Sequence, residues 1–334
     1  MIKYIIRRLL STIPVLFGLS IILFAFIHLL PGDPVAALLG QHATPELTVR
    51  IRELLGLDQP LWQQYLGYLG QLSRGDLGKS IINNRPVIDE FLIRFPGTIE
   101  LTIAALVFAV GLGIPLGRYA ARHAQQLGDG VVTVISLLGI SIPIFVLGLT
   151  LQYILSVQLK LLPTSGRLDP RIDIATVTNF MLIDTLLAGD PGAFVDALRH
   201  LVLPAIALGS IPLAIITRIT RASVLDVSNE DYVRTARAKG LTERRVNSRH
   251  IMRNAWLPVV TVIGLQVGGL LAGAVITETV FSWNGVGRWV VEAIQDHDYF
   301  VVQSSILIFA LIFLVVNLIV DVGYAFLNPR IRYS

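Results

Sequence analysis

Apolar positions along the chain gather into six long runs, at about residues 9–30, 99–117, 130–156, 201–217, 257–277 and 303–327. A helix needs roughly 20 mostly apolar residues to cross about 30 Å of hydrocarbon. The runs therefore predict six membrane-spanning helices with lipid as their solvent. The third run contains Pro143 and the fourth Pro212. Proline is tolerated at membrane depth when neighbouring groups satisfy the freed carbonyl, so kinks are expected at both. The first run follows Lys3, Arg7 and Arg8, as the apolar core of a signal peptide would. At about 22 residues it exceeds the 7–15 of such a core, which predicts an uncleaved first span.

The polar stretches between the runs carry periodicity of their own. Thr44, Pro45 and Glu46 have the order of an N-cap, a first-turn proline and an early acid, and Gly56 is a natural stop. Over 60–73, Leu61, Trp62, Tyr65, Leu66 and Leu69 fall on one helical face. That helix is expected to lie against the membrane surface or to cover the outer mouth. A second such piece is expected near Phe194, Ala197 and Leu198. There is no fixed-period repeat and no flexible linker.

Composition agrees with a membrane chain. Apolar residues make up 54% and charged residues 15% of the 334 positions, against about 25% charged in an ordinary soluble domain. The net charge of +4 matters less than its placement. With the N-terminus in the cytoplasm, the inner segments 1–8, 118–128, 218–256 and 328–334 carry 16 Lys/Arg, and the longer outer segments carry 11. The loop 218–256 alone holds nine. Basic residues mark the cytoplasmic side, so both termini are expected there. There are no cysteines, which excludes disulfides, thiolate metal sites and cysteine nucleophiles.

The loop 218–256 also holds the most informative local chemistry. Ser228 followed by Asp231 has the spacing of a capping box, and Glu230 and Asp231 lie where a helix N-terminus favours negative charge. Glu230 and Arg234 form a favourable i, i+4 pair. Arg237 and Lys239 fall in the last turn, and Gly240 fits the left-handed position beyond it. Residues 229–239 thus predict a short, self-sufficient helix. Thr242 is expected to cap a second helix, 243–255, that stops before Pro258. A rigid helix on a membrane loop is something a soluble partner can push. The same loop would equally serve as a solvated basic segment that sets topology.

Asp231 to Leu241 resembles the coupling (EAA) loop of bacterial ABC-importer membrane subunits, in the version found in the dipeptide and oligopeptide permease family. The resemblance extends along almost the whole chain. It includes Arg7-Arg8-Leu9, Pro31-Gly32-Asp33-Pro34, Gly75-Asp76-Leu77-Gly78, Arg253-Asn254-Ala255, Leu257-Pro258-Val259-Val260, the stretch Glu278 to Trp283, and Asn328-Pro329-Arg330-Ile331-Arg332. It is closest to the first membrane subunit of dipeptide permeases. One departure is that Arg234 stands where the general loop pattern has Glu.

The resemblance implies an all-α polytopic protein with the type I importer fold, about six spans and both termini cytoplasmic. Residues 1–98 would form the first span plus an extracytoplasmic helical segment, and 99–334 the core transmembrane domain. Glu230, Asp231, Tyr232, Arg234, Thr235, Ala236, Arg237, Lys239, Gly240 and Leu241 would couple to partner ATPases. The implied partners are a second homologous permease subunit, two cytoplasmic ATPase subunits and an extracytoplasmic peptide-binding protein. ATP and Mg would sit on the ATPases, with no cofactor in this chain. The cargo would be a di- or oligopeptide, although relatives in this branch also handle glutathione, nickel chelates and haem.

Other chemistries find less support. Ser73 to Ser80 is one glycine short of a phosphate-binding loop and lacks its strand and helix context. Ser141 in the third run would need a base at membrane depth to act as a nucleophile. Among the histidines only His28 falls inside a run, near its outer end, and Ser141 is better placed to bond its own helix near Pro143. No histidines pair at i, i+4 as a metal site would require. The basic residues are already explained by topology, so no nucleic-acid partner is expected. A stand-alone ion-coupled transporter would need coupling groups at the midplane, and most polar candidates lie near run ends.

Asp321 and Asn317 share a face of the last run, Glu100 opens the second and Glu278 closes the fifth. These suit bonds between helices, and Glu278 also suits a peptide's ammonium group. Glu278, Gln266, Gly268 and Gly269 are the candidate pathway residues. Gly264, Gly268, Gly269 and Gly273 form small-xxx-small pairs that allow close helix approach.

Overall fold

The computed structural model describes residues 2–29, 35, 44–54 and 56–327, and among these the regular elements are all helical. Extended backbone pairs at one isolated bridge, between Lys79 and Pro86. The motif positions 31–34 and 328–332 lie outside the described residues, as does the side chain of Asp321.

The chain divides into two compact units. The first comprises Met1–Pro96 and Gly285–Val315. It contains α1 (Ile2–Leu29), α2 (Pro45–Leu54), α3 (Leu61–Ser73) and the start of α4 (Val87–Arg122). The expected Thr44 cap is present: its hydroxyl accepts the Leu47 amide at 3.3 Å. Gly56 ends the turn after α2 at φ +66, a conformation that favours glycine. Between α3 and α4 the would-be phosphate loop is a turn held to its own unit. Ser80 Oγ donates to Asp298 at 2.5 Å, and Ser304 Oγ donates to the Leu77 carbonyl at 2.6 Å. The interior of this unit is Val87, Phe91, Trp289, Val301 and Val302, with Arg94 over the Trp289 ring at 4.8 Å.

The second unit comprises Gly97–Asn284 and Val316–Ser334. It holds most of α4, then α5 (Leu127–Ser141), α6 (Ile144–Gln158), α7 (Met181–Leu187), α8 (Pro191–Ser228), α9 (Asp231–Ala238) and α10 (Glu243–Val280). Beyond it lie α11 (Val286–Gln295), in the first unit, and α12 (Tyr299–Leu327), which runs from the first unit into the second. Helix α8 is its central post, most of its apolar window being buried. Backbones approach closely at Gly117 of α4, where a Cβ would meet the Thr217 carbonyl oxygen of α8 at 2.5 Å. Close approach was expected in the fifth run. There Gly273 faces Leu208 of α8 in tight contact, while nothing stands within 4 Å of a Cβ built on Gly269.

Three expectations change. The third run does not merely kink: α5 and α6 meet at 105°. Pro143 has no amide hydrogen, and it forces the residue before it out of the helical region. Ile142 accordingly sits at φ −86, ψ 123. Ser141 Oγ donates to the Leu137 carbonyl at 2.8 Å, as expected. The fourth helix starts ten residues earlier than its apolar run. Asp190 accepts the Ala193 amide at 2.9 Å, and Pro191 occupies the first helical position. The helix expected over 243–255 does not stop before Pro258 but continues through it into the fifth run, as one helix Glu243–Val280 with a π-helical turn over Val246–Ile251.

Among the described residues, four helices are long and apolar enough to cross a membrane: Val87–Arg122, Pro191–Ser228, Glu243–Val280 and Tyr299–Val320. The bent pair α5–α6 is a candidate fifth, and the apolar part of α1 described with side chains is Leu10–Phe26.

Candidate functional site: a seated loop helix and a buried clamp

Helix α9 is shorter than its sequence predicts, because Ser228 still belongs to α8. Its hydroxyl donates back to the Val224 carbonyl at 2.6 Å instead of capping α9. The N-cap is Glu230, with no side-chain bond to the helix amides. Arg234 lies nearest Asp231, at 3.6 Å, rather than Glu230.

What holds α9 in place is its inner face. Val233 is fully buried and Ala236 nearly so, in a cluster with Ala121, Val224, Val246, Ile251, Met252 and Ala255, and Leu241 packs at its edge. Two polar ties fix the orientation. Asn254 Nδ2 donates to the Tyr232 hydroxyl at 2.6 Å, and Arg237 Nε donates to Glu243 at 2.8 Å. Gly240 turns the chain at φ +76, as its position predicted. The opposite face presents Asp231, Tyr232, Arg234, Thr235, Arg237 and Lys239 to the exterior. The result is a small polar surface on an apolar seat, mounted directly between α8 and α10.

A second tie holds the same region. Arg221 of α8 grips Asp129 of α5 with two bonds, Nε to Oδ1 at 2.6 Å and Nη2 to Oδ2 at 2.7 Å. Sequence reasoning assigned Arg221 to the solvated basic loop. The partner 92 positions away leaves no local signal.

At the other end of α10, Glu278 is fully buried and accepts a 2.6 Å bond from Thr98 Oγ1 of α4. Trp283 Nε1 donates to the Gly97 carbonyl at 2.8 Å. Beside them the buried pair Glu100–Arg167 closes at 2.7 Å, and the Leu182 amide donates to the other Glu100 oxygen. Glu278 is therefore a clamp between α4 and α10 in this conformation, enclosed by protein rather than facing a passage. Of the other pathway candidates, Gly268 is buried, Gln266 half-buried and Gly269 exposed.

Nearby, Asp184 is buried and accepts the Thr178 amide at 2.8 Å and hydroxyl at 2.7 Å. Burial, the strongest single influence, opposes its ionisation. The Thr178 hydroxyl and amide, with the amides of Val177 and Asn179, outweigh it and hold the carboxyl below its ordinary value.

The profile of the family "binding-protein-dependent transport system inner membrane component" matches residues 113–333, and its N-terminal companion matches residues 1–102. The chain belongs to this family. It is a multi-pass inner-membrane protein and an ABC-importer membrane subunit. It is 52% identical over the full length of both chains to the di/tripeptide transport system permease protein DppB of Pseudomonas aeruginosa. It is 49% identical, again over both full lengths, to the dipeptide transport system permease protein DppB of Escherichia coli K12. Among solved structures it is similar to the MetNI methionine ABC transporter in an inward-facing form. That likeness has a TM-score of 0.53 at 15% identity, covering 71% of this chain and 96% of the other. It supports the importer-permease fold.

Proposed function

We propose that this permease carries di- and oligopeptides inward, powered by two cytoplasmic ATPase subunits that dock on α9 and its flanks. The observation that carries the docking site is the division of α9. Val233 and Ala236 are sunk into a cluster shared by α8 and α10, and the polar residues face outward. A push on the outward face is passed to both helices, because the seat packs α9 against both. Tyr232, Arg234, Thr235, Arg237 and Lys239 are the contact residues, while Gly240 and Leu241 set the angle at which the helix leaves its seat.

In this reading the nucleotide and its magnesium belong to the ATPases, a second related permease completes the passage, and an extracytoplasmic binding protein delivers the peptide. The full-length similarity to di- and tripeptide permeases supports the cargo class. Gln266, Gly268 and Gly269 on α10 are the proposed pathway positions, and Glu278 serves as the clamp behind them.

The test is co-purification of the ATPase subunits with the intact chain and with a chain lacking residues 229–241, alongside peptide uptake in vesicles. Loss of both ATPase recovery and uptake is expected. Equal ATPase recovery would overturn docking at α9. Uptake driven by an ion gradient without ATP would overturn the ABC mechanism.

A further inference from the structure

The segment 61–73 was expected either to lie on the membrane or to cover an outer mouth, and its contacts with α1 separate these possibilities. Phe17, Ser20, Phe24 and His28 recur at helical spacing along one face of α1, and α3 rests on that face. The Tyr65 hydroxyl lies 2.9 Å from Ser20 Oγ. Ser20 already donates to the Phe17 carbonyl, so Tyr65 is the donor. The Tyr65 ring stands edge-on to Phe24 at 5.3 Å and to Phe17 at 6.4 Å. Tyr68 stacks on Phe24 at 6.4 Å, and Gln64 reaches His28 at 3.1 Å.

These contacts fix a depth. The apolar run 9–30 has its midpoint near Ser20, and Phe24 lies about 6 Å from that midpoint at 1.5 Å per residue. Half of the hydrocarbon thickness is about 15 Å. A helix lying on the headgroups would touch only the last turn of α1. Helix α3 instead crosses α1 within the leaflet, and Tyr65 reaches almost to the bilayer centre.

The composition of α3 fits that depth. None of its 13 residues, LWQQYLGYLGQLS, is charged, and none is fully buried. Leu61, Trp62 and Leu66 are 57%, 62% and 57% exposed. Two of the polar side chains that point inward are tied by hydrogen bonds, while the buried Tyr68 hydroxyl makes none. Gln64 Nε2 donates to the carbonyls of Leu57 and Gln59, and Tyr65 is held by Ser20. From Gln63 onward the helical backbone satisfies its own amides, beginning at the Pro60 carbonyl, which is the condition for entering hydrocarbon.

We infer that α3 is immersed in the outer leaflet, with phospholipid acyl chains as the partner of the Leu61–Trp62–Leu66 face. It is a half-depth anchor that grips α1 on one side and lipid on the other. The extracytoplasmic segment is thereby tethered to the bilayer at a second point beside α1.

The absence of cysteine makes the test direct. Spin labels are placed on L66C and, as a lipid-facing reference, on F26C, in the transporter assembled with its partner subunits in proteoliposomes. Collision rates are measured with oxygen, which concentrates in hydrocarbon, and with a water-soluble nickel chelate. The expected result at residue 66 is an oxygen rate several-fold above the chelate rate, within about twofold of the residue 26 ratio. A chelate-dominated signal at residue 66 would place α3 in water and overturn the inference. A label shielded from both reagents would overturn it in favour of a protein partner. Brominated-lipid quenching of the unmodified chain against W62F avoids labelling: the quenchable fluorescence should fall in the variant, and no change would count against immersion.

Discussion

The seat of α9 makes a quantitative prediction. Val233 is fully buried between α8 and α10, so Val233→Ala removes two methyl groups from a closed cluster. At about 0.8 kcal/mol for each buried group, transfer alone costs about 1.6 kcal/mol, and incomplete collapse of the cavity brings the total to about 2 kcal/mol. At 1.4 kcal/mol per factor of ten, that is about a 30-fold rise in the local opening constant of α9. Val233→Thr keeps the shape but buries a hydroxyl, at a cost of about 1–3 kcal/mol where it lacks a partner. Arg234→Ala lies on the open face and should change local stability by no more than about 0.5 kcal/mol.

Amide hydrogen exchange over residues 231–241, referenced to the buried stretch of α8, reads the opening constant. Faster exchange in the two Val233 variants and unchanged exchange in Arg234→Ala is the expected pattern. A loosened seat should also lower the peptide transported per ATP while ATP hydrolysis continues. Arg234→Ala should instead weaken ATPase docking. Unchanged exchange in both Val233 variants would refute the reasoning, since α9 would then be held by its polar ties.

Four further predictions follow from the buried polar contacts. The Asp129–Arg221 grip should show a coupling of about 1–3 kcal/mol in a double-mutant cycle of Asp129→Asn and Arg221→Gln, read from thermal unfolding in detergent; strict additivity would reduce it to a bystander. Thr98→Val should lower the unfolding temperature more than Glu278→Gln, because the glutamine can still accept the Thr98 hydroxyl. The Glu278→Gln variant should also take up peptides with free and blocked amino termini in the wild-type ratio, whereas a selective loss of the free-amine peptides would return Glu278 to the pathway. Asp184 has a folded pKa below its ordinary 3.8, so its stabilising contribution is complete above that value and lost as pH falls through the folded value. Protease sensitivity of the segment around Thr178 should therefore rise only below about pH 4 and should lose that acid step in Asp184→Asn.

The long apolar runs were legible because each exceeds what a soluble core helix needs, and the local caps at Thr44, Gly56 and Gly240 were legible because a single residue decides each. Where the reading slipped, two local signals competed. Ser228 has the chemistry of an N-cap, but the preceding helix continues through it and claims its hydroxyl. The helix over 243–255 was expected to stop before Pro258, yet α10 passes through it. Asp190 before Pro191 is a cap that local rules contain, masked by the search for apolarity. The long-range pairs were a different matter. Arg221 with Asp129, Glu100 with Arg167 and Tyr232 with Asn254 join positions whose neighbours reveal nothing of the partner. Such contacts are set by how helices stack and leave no trace in local spacing.

The unbroken course of α10 has a mechanical consequence. Its 38 residues run from beside α9 to the Glu278 clamp, a rod of about 57 Å at 1.5 Å per residue. With the clamp as fulcrum, each degree of tilt displaces the far tip by about 1 Å. On the proposed reading, with partner ATPases pushing at α9 and Gln266, Gly268 and Gly269 along the passage, those three positions would swing through a shorter arc than the tip, so the stroke would be geared down before it reaches the cargo.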